Sequence, residues 1–304
     1  MRSCHSLPIP DRKPITIGFL SVLFFFFFNV FGYATTVIVV ITSKEIVVGS
    51  DGKQTATVGD GTPRGTSMVV KKAELVANNR IVVATAGVAQ IGGYEFSPWI
   101  KGIGHGLREN ISVKDFVLLL EKESAAKFAL FDRGVLAQGL LTHPPGEYCR
   151  SFVQYLVVGY ENSKPWVYLV KFYIDWDRKH LVGPKTIILH PSEINSTDAD
   201  LISIGDDDAL KDILNGNSYA YKQAARTIPK TFAKYLAAGD FDEPQAVELI
   251  RTLIHIEEEV VPSEVGGLGQ FFRIPVRGAG SVIGPKRGDA RKTLAKPAHS
   301  AANK

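Results

Sequence analysis

The chain has 304 residues, 45% of them apolar and 22% charged, with a formal net charge of +4 at pH 7 and two cysteines, Cys4 and Cys149. That balance is globular and excludes a disordered or collagen-like polymer. It offers no extended basic face in the body of the chain, so nucleic acid is not an expected partner.

The first element is a leader. Residues 15–31, ITIGFLSVLFFFFFNVF, form an apolar run after Arg2, Arg12 and Lys13, and Gly32-Tyr33-Ala34 follow. This is the grammar of a secretory signal over residues 1–34. Cleavage after Ala34 exposes Thr35 and leaves 270 residues with 32 basic and 30 acidic side chains. Cys4 leaves with the leader, so Cys149 is a single thiol with no internal disulfide, which suits a secreted or periplasmic location. An uncleaved signal anchor is the alternative, and only there would a membrane be a partner. Past residue 34 no apolar run approaches the ~20 residues that span a bilayer.

Two β-branched runs follow, 36–42 and 45–51, and Ser43-Lys44 between them predicts a hairpin. Gly52 to Gly65 is polar and glycine-rich and predicts a surface loop. Segments 67–76 and 80–87 predict the next strand pair, turned by Ala77-Asn78-Asn79, and a helix start is expected after Gly87. Ser112 predicts a helix cap over 113–131, with Phe116, Leu119 and Leu120 on the apolar face. His143-Pro144-Pro145-Gly146 ends that region. Strands are predicted at 151–161, 165–175, 185–191 and 200–205. Asp206 to Asp208 predict a helix N-terminus in preference to a cation site, and Ser218 to Gly239 a helical stretch. A last helix begins near Asp242, with Pro244 in its first turn and Val247, Ile250 and Ile254 on one face. A strand is expected at 270–276, then a basic disordered tail over 277–304. The fold class expected is α+β, a four-layer αββα sandwich with two antiparallel sheets between helical layers, over residues 35–276.

A threonine at a free N-terminus carries a hydroxyl and an α-amine, a nucleophile and its base in one residue. The amine has a reference pKa of ~7.7–8.0, so part of it is neutral at pH 7. A nearby lysine would lower it further, that lysine needs a carboxylate partner when buried, and an N–H must face the oxyanion. Asp51 at the end of the second predicted strand, Lys71-Lys72 within the third and Gly87 at the close of the fourth fit these needs. Each also has a plain structural use: Asp51 as a turn acid, Gly87 as a turn, and one of the two lysines as a solvent-facing strand residue. The histidines show no metal-ligand spacing, Cys149 has no histidine beside it in sequence, and no G-x-S-x-G elbow is present.

Thr35-Thr36-Val37, IVVGSDGKQT (46–55), VVKKAELV (69–76) and ATAG (84–87) together resemble the proteasome β-subunit family of N-terminal nucleophile hydrolases. The resemblance implies Thr35 as nucleophile, Asp51 and Lys72 as its supporting pair, Gly87 as oxyanion donor and Thr55 on the substrate cleft. SIGDDDA (203–209) stands where that family has a Ser-x-Gly-Ser-Gly turn, so Asp206 replaces a serine. PSEVGGLGQFFRIPV (262–276) matches the family's glycine-pair segment, with Ser263 for its serine and no aspartate; Glu259 or Asp206 is the expected substitute. The implied protein is an exported threonine-type hydrolase of peptide or other amide bonds, with no metal or organic cofactor, and one that self-associates as a homo-oligomer. A catalytically silent scaffold on the same fold and a signal-anchored structural component are the alternatives.

Overall fold

A computed structural model gives the fold and describes residues 36–42, 44–57, 63–69, 71–87, 90–91, 94–105, 107, 111–133, 149–190, 200–205, 242–260, 265–266 and 269–284. The leader, the Asp206–Asp208 run, the 218–239 stretch and the His143–Gly146 segment lie outside these residues.

Strands β1 (Thr36–Ile41) and β2 (Glu45–Ser50) are the predicted hairpin, and every residue in both is buried. A continuous apolar run rather than an alternating one means that both faces are covered. The Thr42 hydroxyl tightens the turn by accepting from Lys44 N–H and Glu45 N–H. The expected loop after Gly52 is instead a second hairpin, β3 (Lys53–Thr57) with β4 (Pro63–Val69). Its threonines favour extended backbone despite the glycines.

The expected strand 67–76 is split. Residues 67–69 belong to β4, whereas β5 (Ala73–Val76) pairs with β6 (Ile81–Gly87), so Lys71 and Lys72 fall between strands. Ala77, Asn78 and Asn79 turn the chain in left-handed geometry, with φ of 49°, 55° and 62°. The asparagines tolerate this geometry, and Ala77 pays roughly 1–2 kcal/mol for it. A short ribbon, β7 (Gln90–Ile91) and β8 (Tyr94–Glu95), precedes helix α1 (Phe96–Gly104).

Helix α2 (Val113–Phe131) starts where Ser112 predicts, with the Ser112 Oγ accepting from Asp115 N–H at 2.9 Å. Strands β9 (Cys149–Glu161) and β10 (Lys164–Asp175) form a long hairpin, followed by β11 (His180–His190) and β12 (Asp200–Gly205). Helix α3 (Glu243–Val260) opens with a reciprocal capping pair, Gln245 N–H to Asp242 Oδ1 and Asp242 N–H to Gln245 Oε1, each 2.9 Å. This is the capping-box arrangement that satisfies two otherwise orphan donors. Strand β13 (Gln270–Pro275) follows.

The tail expectation needs correction. Ser281–Ile283 form β14, paired with β13. The Gly280 N–H donates to Asn79 O at 2.6 Å, which anchors this segment to the β5–β6 turn. A contact 201 residues back along the chain leaves no trace in local composition.

The result is a mixed α/β protein with two antiparallel five-stranded sheets, β12-β1-β2-β13-β14 and β11-β10-β9-β6-β5. Strand periodicity distributes the side chains of β1 and β2 to opposite faces. Val37, Val39, Ile41, Ile46 and Val48 meet Val82, Ala84, Leu156 and Val158 of the second sheet. Ile38, Val40 and Val47 instead meet Ala246, Ile250 and Leu253 of α3, on the face that the Val247, Ile250, Ile254 spacing predicts. The other face of the second sheet packs on α1 and α2, where Phe128 stands edge-on to Phe152 and Phe172 at centroid distances of 5.3 and 4.9 Å. Each such fully buried side chain contributes about 1.5–3 kcal/mol of transfer free energy. Among the described residues, no helix is long and apolar enough to cross a membrane.

Candidate active site

The two sheets bring a buried ion pair together at one end. Asp51 follows β2, and its N–H donates to Thr36 O at 3.0 Å, which continues the β1–β2 ladder by one residue. Lys72 precedes β5, and its carbonyl accepts Thr85 N–H at 2.7 Å, which continues the β5–β6 ladder by one residue. The two side chains meet just past the ends of these ladders. The Lys72 Nζ donates to Asp51 Oδ1 at 2.9 Å, with side-chain exposures of 1% and 0%. Lys71, its neighbour, is 64% exposed and lies 3.7 Å from Glu74. The reading that one lysine faces solvent and Lys72 faces inward therefore holds, although the pair sits beside a strand rather than within one.

Asp51 is also tied to the backbone. Its Oδ1 accepts Thr36 N–H at 2.8 Å, and its Oδ2 takes a longer bond, 3.4 Å, from Gly266 N–H. The Gly266 carbonyl in turn accepts Gly52 N–H at 3.0 Å. A charged acceptor shared by a lysine and main-chain donors is a stronger arrangement than a neutral one. The geometry fixes the Asp51–Lys72 pair at the start of β1, one residue after position 35.

Gly87 closes β6 with φ +91°, and a Cβ there would lie 2.7 Å from Phe152 O. Only glycine meets both conditions without strain. It lies two residues beyond Thr85, the partner of Lys72 in the ladder, so it belongs to the same end of the second sheet. Thr55 lies on β3, where the register shifts between Gln54↔Met68 and Ala56↔Arg64. Thr35, Asp206 and Ser263 lie outside the described residues.

Glu259 lies near the C-terminal end of α3. It sits on the exposed side of α3, its Oε1 3.2 Å from His255 Nε2, while Leu253, Ile256 and Glu257 occupy the buried side.

Two contributors are not named as site residues from the sequence: the Gly266 backbone, within the 262–276 segment matched to the family's glycine pair, and the Gln270 side chain. Gln270 Oε1 accepts Lys72 N–H at 3.0 Å. Nothing local in the sequence indicates that Gln270 reaches the other sheet. No group of three or more His, Cys, Asp or Glu among the described residues could hold a metal ion.

No protein-family model matches the chain, and no curated protein sequence matches it.

Proposed function

We propose that the chain is an exported N-terminal threonine hydrolase that cleaves peptide or other amide bonds through an acyl-enzyme on Thr35. The observation that carries this reading is one carboxylate oxygen, Asp51 Oδ1, bonded both to Lys72 Nζ at 2.9 Å and to the Thr36 N–H at 2.8 Å. A buried ammonium beside the residue that follows Thr35 supplies the positive charge such a nucleophile needs.

In this reading the Thr35 hydroxyl gives its proton to its own α-amine as Oγ attacks the substrate carbonyl. Lys72⁺ lowers the amine pKa by like-charge repulsion, which keeps part of it neutral near pH 7. Asp51 keeps Lys72 charged in a site from which water is largely excluded. The Gly87 N–H stabilises the oxyanion. The ammonium then protonates the leaving amine, and water, deprotonated by the same amine, releases the acyl group. Thr55 lines the cleft. A four-layer αββα architecture fits this chemistry, because it leaves the strand ends that carry Asp51, Lys72 and Gly87 at one edge of the paired sheets. Removal of residues 1–34, a secreted or periplasmic setting and self-association belong to the same proposal.

The test is intact mass and N-terminal sequencing of the exported protein, followed by treatment with a β-lactone. Lactone opening adds the whole probe mass as an ester on the attacking hydroxyl. The expected result is a chain starting at Thr35 and labelled there, with label lost in Thr35→Ala and Lys72→Ala. A correctly processed protein that takes no label would overturn the enzyme reading in favour of a binding protein, and a retained leader would favour an anchored component.

A further inference from the structure

We infer that Gln270 is a positioning residue for Lys72, and that its side-chain carbonyl sets where the lysine's charge stands; this rests on the hydrolase reading above. Lys72 lies outside any strand, between β4 and β5, so sheet pairing alone does not hold it. Its carbonyl is fixed by Thr85 N–H, and its N–H by Gln270 Oε1. The first bond belongs to the lysine's own sheet. The second crosses from β13, in the sheet that carries Asp51.

That crossing matters because of what Gln270 stands beside. It is paired with Ser50, the residue before Asp51. Gly269 packs against the same place, where a Cβ would come within 3.1 Å of Ser50 O. Gly266, at the start of this segment, holds Asp51 through its N–H and Gly52 through its carbonyl. Gly266 and Gln270 thus touch both halves of the ion pair: Asp51 through the Gly266 main chain, Lys72 through the Gln270 side chain. The Lys72 ammonium reaches Asp51 from a backbone whose distance to β2 is set by this glutamine. A side chain without an acceptor would free the Lys72 N–H and let the 71–72 segment drift away from β2. The lysine would then stand farther from the Thr35 amine, and the amine pKa would rise.

The experiment measures β-lactone labelling rate against pH for processed wild type, Gln270→Leu and Gln270→Glu, with melting temperatures alongside. Expected for Gln270→Leu is labelling about tenfold slower or more at pH 7, with the midpoint of the pH profile moved upward, because the displaced lysine no longer depresses the amine. Gln270→Glu keeps an acceptor for the Lys72 N–H, so its plateau rate at high pH is expected within about threefold of wild type. Its midpoint also moves upward, because an added carboxylate favours the protonated amine. A Gln270→Leu variant that is folded and labels with the wild-type midpoint overturns the inference, whether its rate is normal or reduced. If Gln270→Leu does not fold, Gln270→Glu decides by its plateau: a plateau within about threefold of wild type supports the role, because the Lys72 N–H keeps its acceptor, and a lost plateau overturns it. Wild type that does not label at all defeats the hydrolase reading itself, and the inference with it, which separates the two failures.

Discussion

Strand β2 carries an acid at each end, and the two ends are built differently. At its start, Glu45 meets Arg273 at 3.7 Å, with Arg273 39% exposed and also paired with Glu243 of α3. Just past its other end, Asp51 meets Lys72 at 2.9 Å with both side chains essentially out of solvent. The first is a clamp between strands and helix that water can reach. The second is a desolvated pair linked to main-chain donors from Thr36 and Gly266. A buried ion pair adds little net stability, because desolvating two charges offsets their attraction, and apolar side chains of similar volume often serve as well. The arrangement at Asp51 is therefore poorly explained by stability alone, whereas the one at Glu45 needs no further explanation.

The sharpest way to break this comparison is to remove one partner at each end. Asp51→Ala strands a buried ammonium and removes the acceptor of two N–H groups, so about 3–5 kcal/mol of destabilisation is expected in denaturant unfolding. Lys72→Met strands the carboxylate but leaves it those backbone donors, so it should fall at the lower edge of that range. If either variant unfolds within error of wild type, the pair is not desolvated as described, and the contrast between the ends disappears.

Glycines sharpen the same contrast at a smaller scale. Gly87→Ala places a Cβ at φ +91° and 2.7 Å from Phe152 O. Strain of this kind is expected to cost about 1–3 kcal/mol. It should also suppress Thr35 labelling by more than the unfolded fraction explains, because it shifts the N–H proposed for the oxyanion. Gly280→Ala is the counterpart at the far end. Its Cβ would meet Arg273 O at 2.6 Å and Asn79 O at 2.8 Å, without a left-handed φ. A cost of roughly 1 kcal/mol by thermal melting, from overpacking against backbone, is expected there. Labelling should be unchanged in the molecules that remain folded. Equal effects of both glycine changes on labelling would argue that the site is not confined to the Asp51 end.

The difference between the ends also explains what was legible beforehand. The β1–β2 hairpin, the Ser112 cap and the helix from Asp242 carry local signals, a β-branched run or a capping residue before an apolar stripe, and they appear where expected. Asp51, Lys72 and Gly87 could be named because all three lie close in sequence to the first strands. The β3–β4 ribbon was hidden because its polar, glycine-containing sequence resembles a loop. The strand break at Lys71-Lys72 was hidden because an apolar-to-basic run looks continuous. Gln270 and β14 depend on contacts with distant segments, Gln270 with a residue 198 positions away and β14 through the Gly280–Asn79 bond. Composition and periodicity cannot report such contacts.

The smallest effect belongs to Arg273, and its pH dependence carries the information. Burial holds the Glu45 carboxyl above its ordinary value of 4.5; Arg273 opposes that rise, while Glu243 and Asp242 add to it. A carboxyl whose folded pKa is raised contributes stability that is fully present below the unfolded value and lost as pH rises through the folded one. Arg273→Ala removes the opposing charge, raises the folded value further and deepens that loss. The substitution should therefore cost about 0.2–1 kcal/mol at pH 7, the range of partly exposed pairs. Below the ordinary carboxyl value, where Glu45 is protonated in both states, the cost should shrink toward zero. Urea unfolding of wild type and Arg273→Ala at pH 4 and pH 7 measures the difference. A penalty independent of pH would mean that the aliphatic stem of Arg273 matters more than its charge, and the Glu45 end would then differ from the Asp51 end in kind rather than in exposure.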